Sequence, residues 1–166
     1  MNLTDRKWDT FILGELFDNF HGKRLVKQKR LNGKTPFLTA SENNQGVSSF
    51  IYNDNMALFK DFISIDMFGQ SFYHSYNCCG DDNIYFFINN QISPYAKLFI
   101  TTCINKNKLK YSYGRQFRQN SADKDKILLP IDKNGKPDYE YMEKYIKNKL
   151  LQKYEVCLKY MKEKSR

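Results

Sequence analysis

The stretch FISIDMFGQSFYHSY, residues 62–76, decides the fold of this chain. Its first half alternates, so that Ile63, Ile65 and Met67 face one side of a strand while the residues between them face the other. The dipeptide Gly69–Gln70 then predicts a two-residue hairpin turn, after which the chain runs back along the first strand. The stretch therefore indicates an antiparallel pair of strands and hence a sheet.

The sequence on both sides of this hairpin predicts further strands. They are expected at residues 8–13, 36–41, 47–51, 83–89 and 126–131. Pro36 is expected to open its strand, because proline is tolerated at the first residue of a strand. The segment NIYFFIN, residues 83–89, is almost continuously apolar, which is typical of a strand that is buried on both faces. We therefore expect it to lie at the centre of the sheet.

Two helices complete the predicted elements. Ser93 as the N-cap residue and Pro94 at the first helical position predict a helix over residues 93–106. A long helix is predicted over residues 138–166, after a turn that contains Gly and Pro. Its apolar positions share a face, which needs either the domain itself or another helix as a partner. Together these elements predict a mixed α/β (α+β) domain over residues 1–137 with a small mixed or antiparallel sheet, followed by the separate helix.

Composition limits the partners and the compartment. The 166 residues carry a net charge of +9, with a pI near 9.3, which favours a polyanionic partner such as nucleic acid. An alternative explanation of the positive charge is that the protein comes from an AT-rich genome, in which lysine is frequent in all proteins. The four cysteines lack CxxC spacing, and no run of about 18 apolar residues exists. These features predict a cytoplasmic protein with reduced thiols and no membrane association.

The charge is clustered. No acidic residue occurs from Asn19 to Ser41, and the segment 21–34 contains six Lys or Arg residues. The segment KYSYGRQFRQ, residues 110–119, interleaves Lys and Arg with Tyr and Phe and contains no acid. Unpaired charges are costly to bury, so these segments are expected at the surface. We expect 21–34, 66–76 and 105–118 to form one positive surface that also contains aromatic side chains.

Catalytic patterns are missing. There is no Gly-rich turn for S-adenosylmethionine, and Ser93-Pro94-Tyr95 lacks the second proline of an amino-methylation loop. Asp66, Asp81 and Asp82 are the only candidate acids for a metal-dependent nuclease, and no lysine accompanies them at nuclease spacing. No P-loop is present. The sequence therefore predicts binding rather than catalysis.

A metal site is not expected either. His74, Cys78 and Cys79 could be drawn as zinc ligands, but adjacent cysteines rarely both ligate one ion, and no fourth ligand is suitably spaced. His74 lies in the alternating strand, where it is expected at the surface or in a groove rather than as the base of a nucleophile.

Side chains that can contact DNA are grouped in predicted turns. Lys and Arg neutralise phosphates, while Asn, Gln, Ser, Arg and Tyr supply hydrogen bonds to base edges. Each Asn or Gln alone is more typical of a solvated turn, but the group together is a stronger signal than any one member. The residues of these types are Asn43, Asn44, Gln45, Gln70, Ser71, Tyr73, Tyr113, Arg115 and Gln116.

Five segments in order resemble a known family. They are PFLTASENNQGVSSFI, ISIDMFGQSFYH, GDDNIYFF, KYSYGRQFRQ, and KILLPI with NGKPDYEYMEKYI. The series is similar to one target-recognition half of the specificity (S) subunit of type I restriction-modification systems, and to the S-like domains of related type II enzymes. The resemblance extends over nearly the whole chain, although full S subunits are about twice this length.

The resemblance implies a function and partners. Residues 1–137 would be a target-recognition domain for double-stranded DNA, and residues 138–166 a spacer or dimerisation helix. The chain would have no catalysis of its own. It would direct adenine methylation and cleavage by modification and restriction subunits, to which S-adenosylmethionine, ATP and Mg would belong. The chain would be either a natural half-subunit or one domain of a longer chain. As a half-subunit, a homodimer through the helix would restore the two-half geometry and recognise an inverted repeat.

The resemblance also extends the set of candidate residues. In KYSYGRQFRQ, we expect Lys110, Arg115 and Arg118 to contact phosphate or guanine, Gly114 to permit the turn, and the aromatics to brace the loop against the domain. The candidate DNA-binding residues are Lys23, Arg24, Lys27, Thr39, Ser41, Asn43, Asn44, Gln70, Ser71, Tyr73, Lys108, Lys110, Tyr113, Arg115, Gln116 and Arg118. The candidate partner residues on the helix are Met142, Ile146, Leu150, Tyr154, Cys157 and Met161.

Two other functions stay open at this stage. A nonspecific binder of single-stranded nucleic acid would use the same aromatic and basic residues without sequence preference. A protein-interaction decoy or regulator of a restriction-modification complex would depend on the helix and not on the loops.

Overall fold

The fold is described from a computed structural model, which covers residues 2–164. The strands are β1 (Trp8–Ile12), β2 (Asp18–His21), β3 (Asn32–Leu38), β4 (Val47–Ile51), β5 (Phe62–Asp66), β6 (Ser71–His74), β7 (Cys79–Gly80), β8 (Ile84–Ile88) and β9 (Lys126–Pro130). The helices are α1 (Leu13–Leu16), α2 (Pro94–Lys106) and α3 (Tyr139–Lys164). The prediction of a mixed α/β fold with a long C-terminal helix is confirmed.

The strands form three small sheets. A four-stranded antiparallel sheet has the order β2-β8-β5-β6, and a three-stranded sheet has the order β4-β3-β7 with β3 and β7 parallel. Strands β1 and β9 form an antiparallel pair. The central position predicted for residues 83–89 is confirmed, because β8 pairs with both β2 and β5.

The four-stranded sheet is covered on both faces. Ile63 and Ile65 of β5 face a hydrophobic core that includes α2 and the first turn of α3. Phe62 of the same strand faces a second core together with Phe86 of β8 and Leu38 of β3. The predicted alternation of β5 is therefore real, but every residue of the strand is buried because both of its faces are packed.

The predicted two-residue hairpin turn is wrong. The connection between β5 and β6 comprises four residues, 67–70, and is closed by hydrogen bonds between the backbones of Asp66 and Gln70 and of Gly69 and Asp66. Gly69 has a φ of +75°, and a Cβ added to it would lie 2.6 Å from the ring of Tyr111. Glycine is therefore required here both by the backbone conformation and by the close approach of the next loop.

Pro36 does not open its strand, because β3 begins at Asn32. Proline is tolerated inside β3 because its short neighbour β7 pairs only with Phe37 and Leu38. The missing N–H of Pro36 therefore lies beyond the parallel ladder, where the strand is effectively an edge.

Helix α2 begins as predicted. The Ser93 hydroxyl accepts a hydrogen bond from the backbone N–H of Ala96 at 3.3 Å, and Pro94 occupies the first helical position. Ala96 and Ile100 are fully buried against the four-stranded sheet. The helix also packs along β6, and it thereby covers the exposed edge of that sheet.

Helix α3 has two different parts. It is predicted over 138–166 and observed over Tyr139–Lys164, and residues 165–166 lie outside the described part of the chain. Tyr141 and Met142 are buried, and the first turns pack on α2. From Leu151 onward every described residue of the helix is exposed. Within residues 2–164, every helix is too short or too polar to cross a membrane.

Candidate nucleic-acid interface

Three loops meet at one edge of the molecule. They are residues 39–46 between β3 and β4, the turn 67–70, and residues 107–118 after α2. These three loops together are called the loop cluster. The ammonium group of Lys108 links all three, since its Nζ donates to Glu42 Oε1 and to Gln70 Oε1, each at 2.7 Å. The loop cluster therefore unites two of the three predicted segments and adds the 39–46 loop to them.

Helix α2 fixes the position of β6, from which the turn 67–70 projects. The side-chain amide of Asn105 bonds both backbone groups of Ser71, with Oδ1 accepting from N–H at 2.8 Å and Nδ2 donating to C=O at 3.0 Å. The Ser71 hydroxyl donates to the carbonyl of Thr101 at 3.2 Å. Ser71 is fully buried, so its side chain has no surface to offer to DNA, contrary to the prediction.

A buried lysine fixes the other end of β6. Lys97 is fully buried, and its Nζ donates to Asp61 Oδ2 at 2.8 Å and to the Asp61 carbonyl at 2.7 Å. The Tyr73 hydroxyl donates to Asp61 Oδ1 at 2.7 Å, and burial, followed by this contact, raises the pKa of Tyr73. Tyr73 was predicted to contact DNA, but its side chain is half-buried and its hydroxyl is bonded to Asp61.

Asp66 shapes the turn 67–70. Its Oδ1 accepts hydrogen bonds from the backbone N–H groups of Phe68 at 2.8 Å and Gln70 at 3.0 Å. Burial raises the pKa of this carboxyl group, while the two backbone donors act in the opposite direction. The carboxylate is therefore a structural cap for the turn, which holds the Gln70 side chain toward Lys108.

The 39–46 loop contains an unusual backbone conformation. Asn44, Gln45 and Gly46 all have positive φ, at 49°, 55° and 79°. The conformation is held at both sides, since Thr39 N–H donates to the Gly46 carbonyl and the Ser41 hydroxyl accepts from Asn43 N–H. Non-glycine residues reach this region at an energetic cost, and such positions concentrate at functional sites. The exposed side chains of Asn43 and Asn44 project from this constrained turn.

The segment 110–118 combines an anchor and an exposed tip. Phe117 is 1% exposed and contacts the rings of Tyr85, Phe87 and Tyr111. Phe117 and Tyr111 are thus the two aromatics of the segment that anchor it to the core. Tyr113 is instead 83% exposed. Gly114 does not have a positive φ, and nothing lies within 4 Å of a Cβ added to it, so the turn does not depend on glycine there.

Several of the predicted cations have partners within the protein. Lys110 forms an ion pair with Asp125 at 2.9 Å, and the Arg118 guanidinium donates to the side-chain oxygen of Gln116. Arg115 is exposed at the tip beside Tyr113, and its backbone pairs with Ser112.

The third predicted segment is anchored elsewhere. Lys23 donates to the carbonyl of Asn55 at 3.2 Å, and Arg24 pairs with Asp82 at 3.5 Å. The backbone N–H of Leu25 donates to Asp81 Oδ1 at 2.9 Å, while Lys27 is exposed. These contacts hold the segment 21–34 against the β7–β8 turn and the loop after β4.

The second histidine, His74, lies in the interior of the domain. His74 is fully buried, and its Nε2 lies 2.9 Å from Ser64 Oγ. Burial lowers the pKa of His74 to about 4 and raises the pKa of Cys78 to about 12 and of Cys79 to about 11. Among residues 2–164, no three His, Cys, Asp or Glu side chains are grouped to hold a metal ion. The prediction of a surface or groove position for His74 is wrong.

The sequence analysis missed one residue of the loop cluster, Glu42, and one residue of α2 that supports it, Asn105. Glu42 is the first acid after the acid-free stretch, which is a signal that sequence reasoning could have used. Asn105 gives no comparable signal, because its importance comes from the neighbouring strand and not from its position in the helix.

Comparisons with known proteins agree with this architecture. The sequence model of the family described as type I restriction modification DNA specificity domain matches residues 5–156. The specificity subunit S.BcgI of a type II restriction enzyme from Heyndrickxia coagulans is 31% identical over 150 residues, covering 87% of this chain and 44% of that protein.

Two crystal structures share the fold. The S subunit of a type I restriction-modification system from M. genitalium aligns with a TM-score of 0.60 at 21% identity, over 93% of this chain and 42% of that one. The HsdS subunit from Thermoanaerobacter tengcongensis aligns with a TM-score of 0.62 at 13% identity, over 93% and 39%. The chain thus spans less than half the length of these relatives.

Proposed function

Because this chain belongs to the family of type I restriction modification DNA specificity domains, we propose that its loop cluster binds a short, specific sequence of duplex DNA. The observation that supports this most is the linkage of the three loops by Lys108. Loops held in one arrangement can present several side chains at once to the edges of neighbouring base pairs. Asn43, Asn44, Tyr113 and Arg115 are the exposed residues that we assign to DNA contact.

We assign different roles to the other candidates. Thr39, Ser41 and Gln70 are half-buried and shape the loops, while Lys108 and Lys110 are engaged in ion pairs within the protein. The exposed cations Arg24, Lys27 and Arg118 are proposed to contact phosphates, which attract cations regardless of base sequence.

The chain is proposed to act within a restriction-modification complex in the cytoplasm. Modification and restriction subunits would supply methylation and cleavage, together with S-adenosylmethionine, ATP and Mg. The domain over residues 1–137 would provide specificity, and the helix over 138–166 would contact a partner.

The exposed part of α3 supports the partner role. Leu151, Tyr154, Leu158 and Met161 are each more than half exposed and follow the three- and four-residue spacing of a coiled-coil seam. We propose that this seam pairs two copies of the chain. Leu158→Asp is expected to convert a dimer into a monomer in light scattering without loss of folding. A wild-type mass of one chain at high concentration would exclude the homodimer.

The experiment that tests DNA recognition is selection of bound duplexes from a random pool at about 0.1 M salt, which weakens nonspecific phosphate contacts. An enriched motif is expected, and an inverted repeat with a fixed spacer is expected from a dimer. Binding without any sequence preference would favour the nonspecific binder, and no DNA binding would favour the interaction decoy.

Arg115→Ala tests whether the exposed tip takes part in recognition. If Arg115 contacts a guanine through two hydrogen bonds, its loss should cost about 1 to 3 kcal/mol of binding free energy and relax the preference at that position. The matched control is Lys153→Ala on the exposed part of α3, which removes the same charge far from the loops. An equal loss on all sequences would identify Arg115 as a phosphate contact.

A further inference from the structure

The loop cluster, to which DNA contact is assigned above, contains an exposed acidic side chain, Glu42. Glu42 follows a stretch of 23 residues, 19–41, without any acid, on a chain of net charge +9. Its side chain is 75% exposed, so burial does not explain it. A carboxylate facing DNA is repelled by phosphates, and its presence at this edge therefore calls for a specific use.

Lys108 holds this carboxylate in one place and offsets its charge. Nζ of Lys108 lies 2.7 Å from Glu42 Oε1, and this contact lowers the pKa of Glu42, so the group is ionised at neutral pH. The same Nζ is fixed by Gln70 Oε1 at 2.7 Å. The repulsion between Glu42 and phosphates is therefore reduced, while the carboxylate keeps its capacity to accept hydrogen bonds.

The second carboxylate oxygen remains available. Oε1 of Glu42 accepts from Lys108, and no hydrogen bond to Oε2 is found among residues 2–164. An ionised carboxylate can only accept hydrogen bonds. In the major groove the base donors are the amino groups N4 of cytosine and N6 of adenine, whereas guanine and thymine present acceptors there. A fixed carboxylate thus favours amino-bearing bases and repels guanine and thymine.

We propose that Glu42 is a specificity-determining residue that accepts a hydrogen bond from the exocyclic amino group of a cytosine or an adenine in the major groove. Lys108 is the positioning residue that holds Glu42 there. This inference rests on the proposed function, because it names one element of recognition by the same loop cluster.

The test compares the motif selected from a random duplex pool by the wild-type chain and by Glu42→Gln. The variant should lose about tenfold of preference at a single position and keep the rest of the motif, because glutamine can donate as well as accept. The matched control is Glu140→Gln, which removes an exposed acid paired with Lys144 on α3 and should leave the whole motif unchanged.

Base analogues test whether the exocyclic amino group is the atom that Glu42 contacts, and whether it belongs to cytosine or to adenine. At the affected position, pyrimidin-2-one in place of cytosine, or purine in place of adenine, removes only the amino group. The wild-type chain should bind that duplex about tenfold more weakly, and Glu42→Met, which has no acceptor oxygen, should bind both duplexes about equally. Lys108→Met should weaken the preference at this position, and Lys108→Arg, which keeps a cation beside Glu42, should retain it.

Each outcome has a distinct meaning. A wild-type motif that Glu42→Gln leaves unchanged, or weakens equally at every position, overturns the assignment of Glu42 and leaves the proposed function intact. Wild-type protein that selects no motif overturns both. Equal unfolding midpoints of the variant and the wild type establish that any change in the motif is not a folding defect.

Discussion

The two long helices differ in what they contact. Over 13 residues, α2 packs Ala96 and Ile100 into the core and uses Lys97 and Asn105 to bond the sheet beside it. Over 26 residues, α3 buries only Tyr141 and Met142. Its charged residues pair along its own surface, as in Glu140–Lys144 and Glu143–Lys147.

The two helices therefore have different roles: α2 positions the loops, whereas most of α3 extends away from the domain. A helix that exchanges hydrogen bonds with a neighbouring strand fixes that strand, and α2 thereby sets the turn 67–70 and the loop cluster. A helix of 26 residues is about 39 Å long, and most of α3 is too far from the core to influence the loops. The comparison predicts that substitutions on α2 affect folding and that those on the exposed part of α3 do not.

The largest expected difference concerns apolar residues. Ile100→Ala should reduce the free energy of unfolding by about 3 to 4 kcal/mol, because the side chain is fully buried and its removal leaves a cavity. Leu158→Ala, at a side chain that is 56% exposed, should change it by less than about 0.5 kcal/mol. Denaturant unfolding of the monomeric chain measures both, and similar losses would contradict the division between the helices.

A second test compares two lysines in ion pairs. Lys97→Met should cost about 3 kcal/mol, because it leaves the Asp61 carboxylate and carbonyl without their buried donor. Lys147→Met breaks the pair with Glu143 on the surface of α3 and should leave the unfolding midpoint unchanged within error. A stable Lys97→Met variant would mean that α2 does not hold Asp61 through this contact.

The smallest effect concerns pH and lies in the sheet that α2 covers. The pKa of His74 is lowered from 6.5 to about 4, so the folded state favours the neutral ring. The contribution of His74 to the free energy of unfolding is complete above pH 6.5 and is lost as the pH falls toward 4. In this range the unfolded chain binds a proton at His74 that the folded chain does not bind. Between pH 7 and pH 5 the free energy of unfolding should fall by about 2 kcal/mol through this group.

The measurement is the difference in pH dependence between the wild type and His74→Gln. The variant should be less stable at pH 7 but should show a flatter decline toward pH 5. Equal slopes for His74→Gln and the wild type would show that His74 is not held neutral.

Local signals in the sequence were predictive where the structure depends on neighbouring residues. Ser93 and Pro94 identified the start of α2, because capping involves only the first turn. The continuous apolar run identified β8 as central, because burial on both faces removes the alternation. The order of the blocks with the final helix also indicated the family.

Features of the structure that depend on residues distant in sequence could not be predicted from the sequence. The four-residue turn 67–70 needs the Asp66 cap and leaves room for the ring of Tyr111. The strand β3 extends through Pro36 because its neighbour β7 is short. Ser71 and Tyr73 have residue types suited to DNA contact, yet Ser71 is buried against α2 and the hydroxyl of the half-buried Tyr73 is bonded to Asp61. Residue type cannot distinguish these cases, since the partners are 30 residues from Ser71 and 12 residues from Tyr73 in sequence.

The sequence by itself determined the basic charge, most of the strands, both long helices and the membership of a DNA specificity family. Hydrophobic period, caps and composition are properties of neighbouring residues, and they persist in the unfolded chain. The tertiary structure alone decided which polar residues face outward. It joined Glu42, Gln70 and Lys108 from three loops into one edge, because hydrogen-bond partners are assigned only when the sheets and α2 pack together.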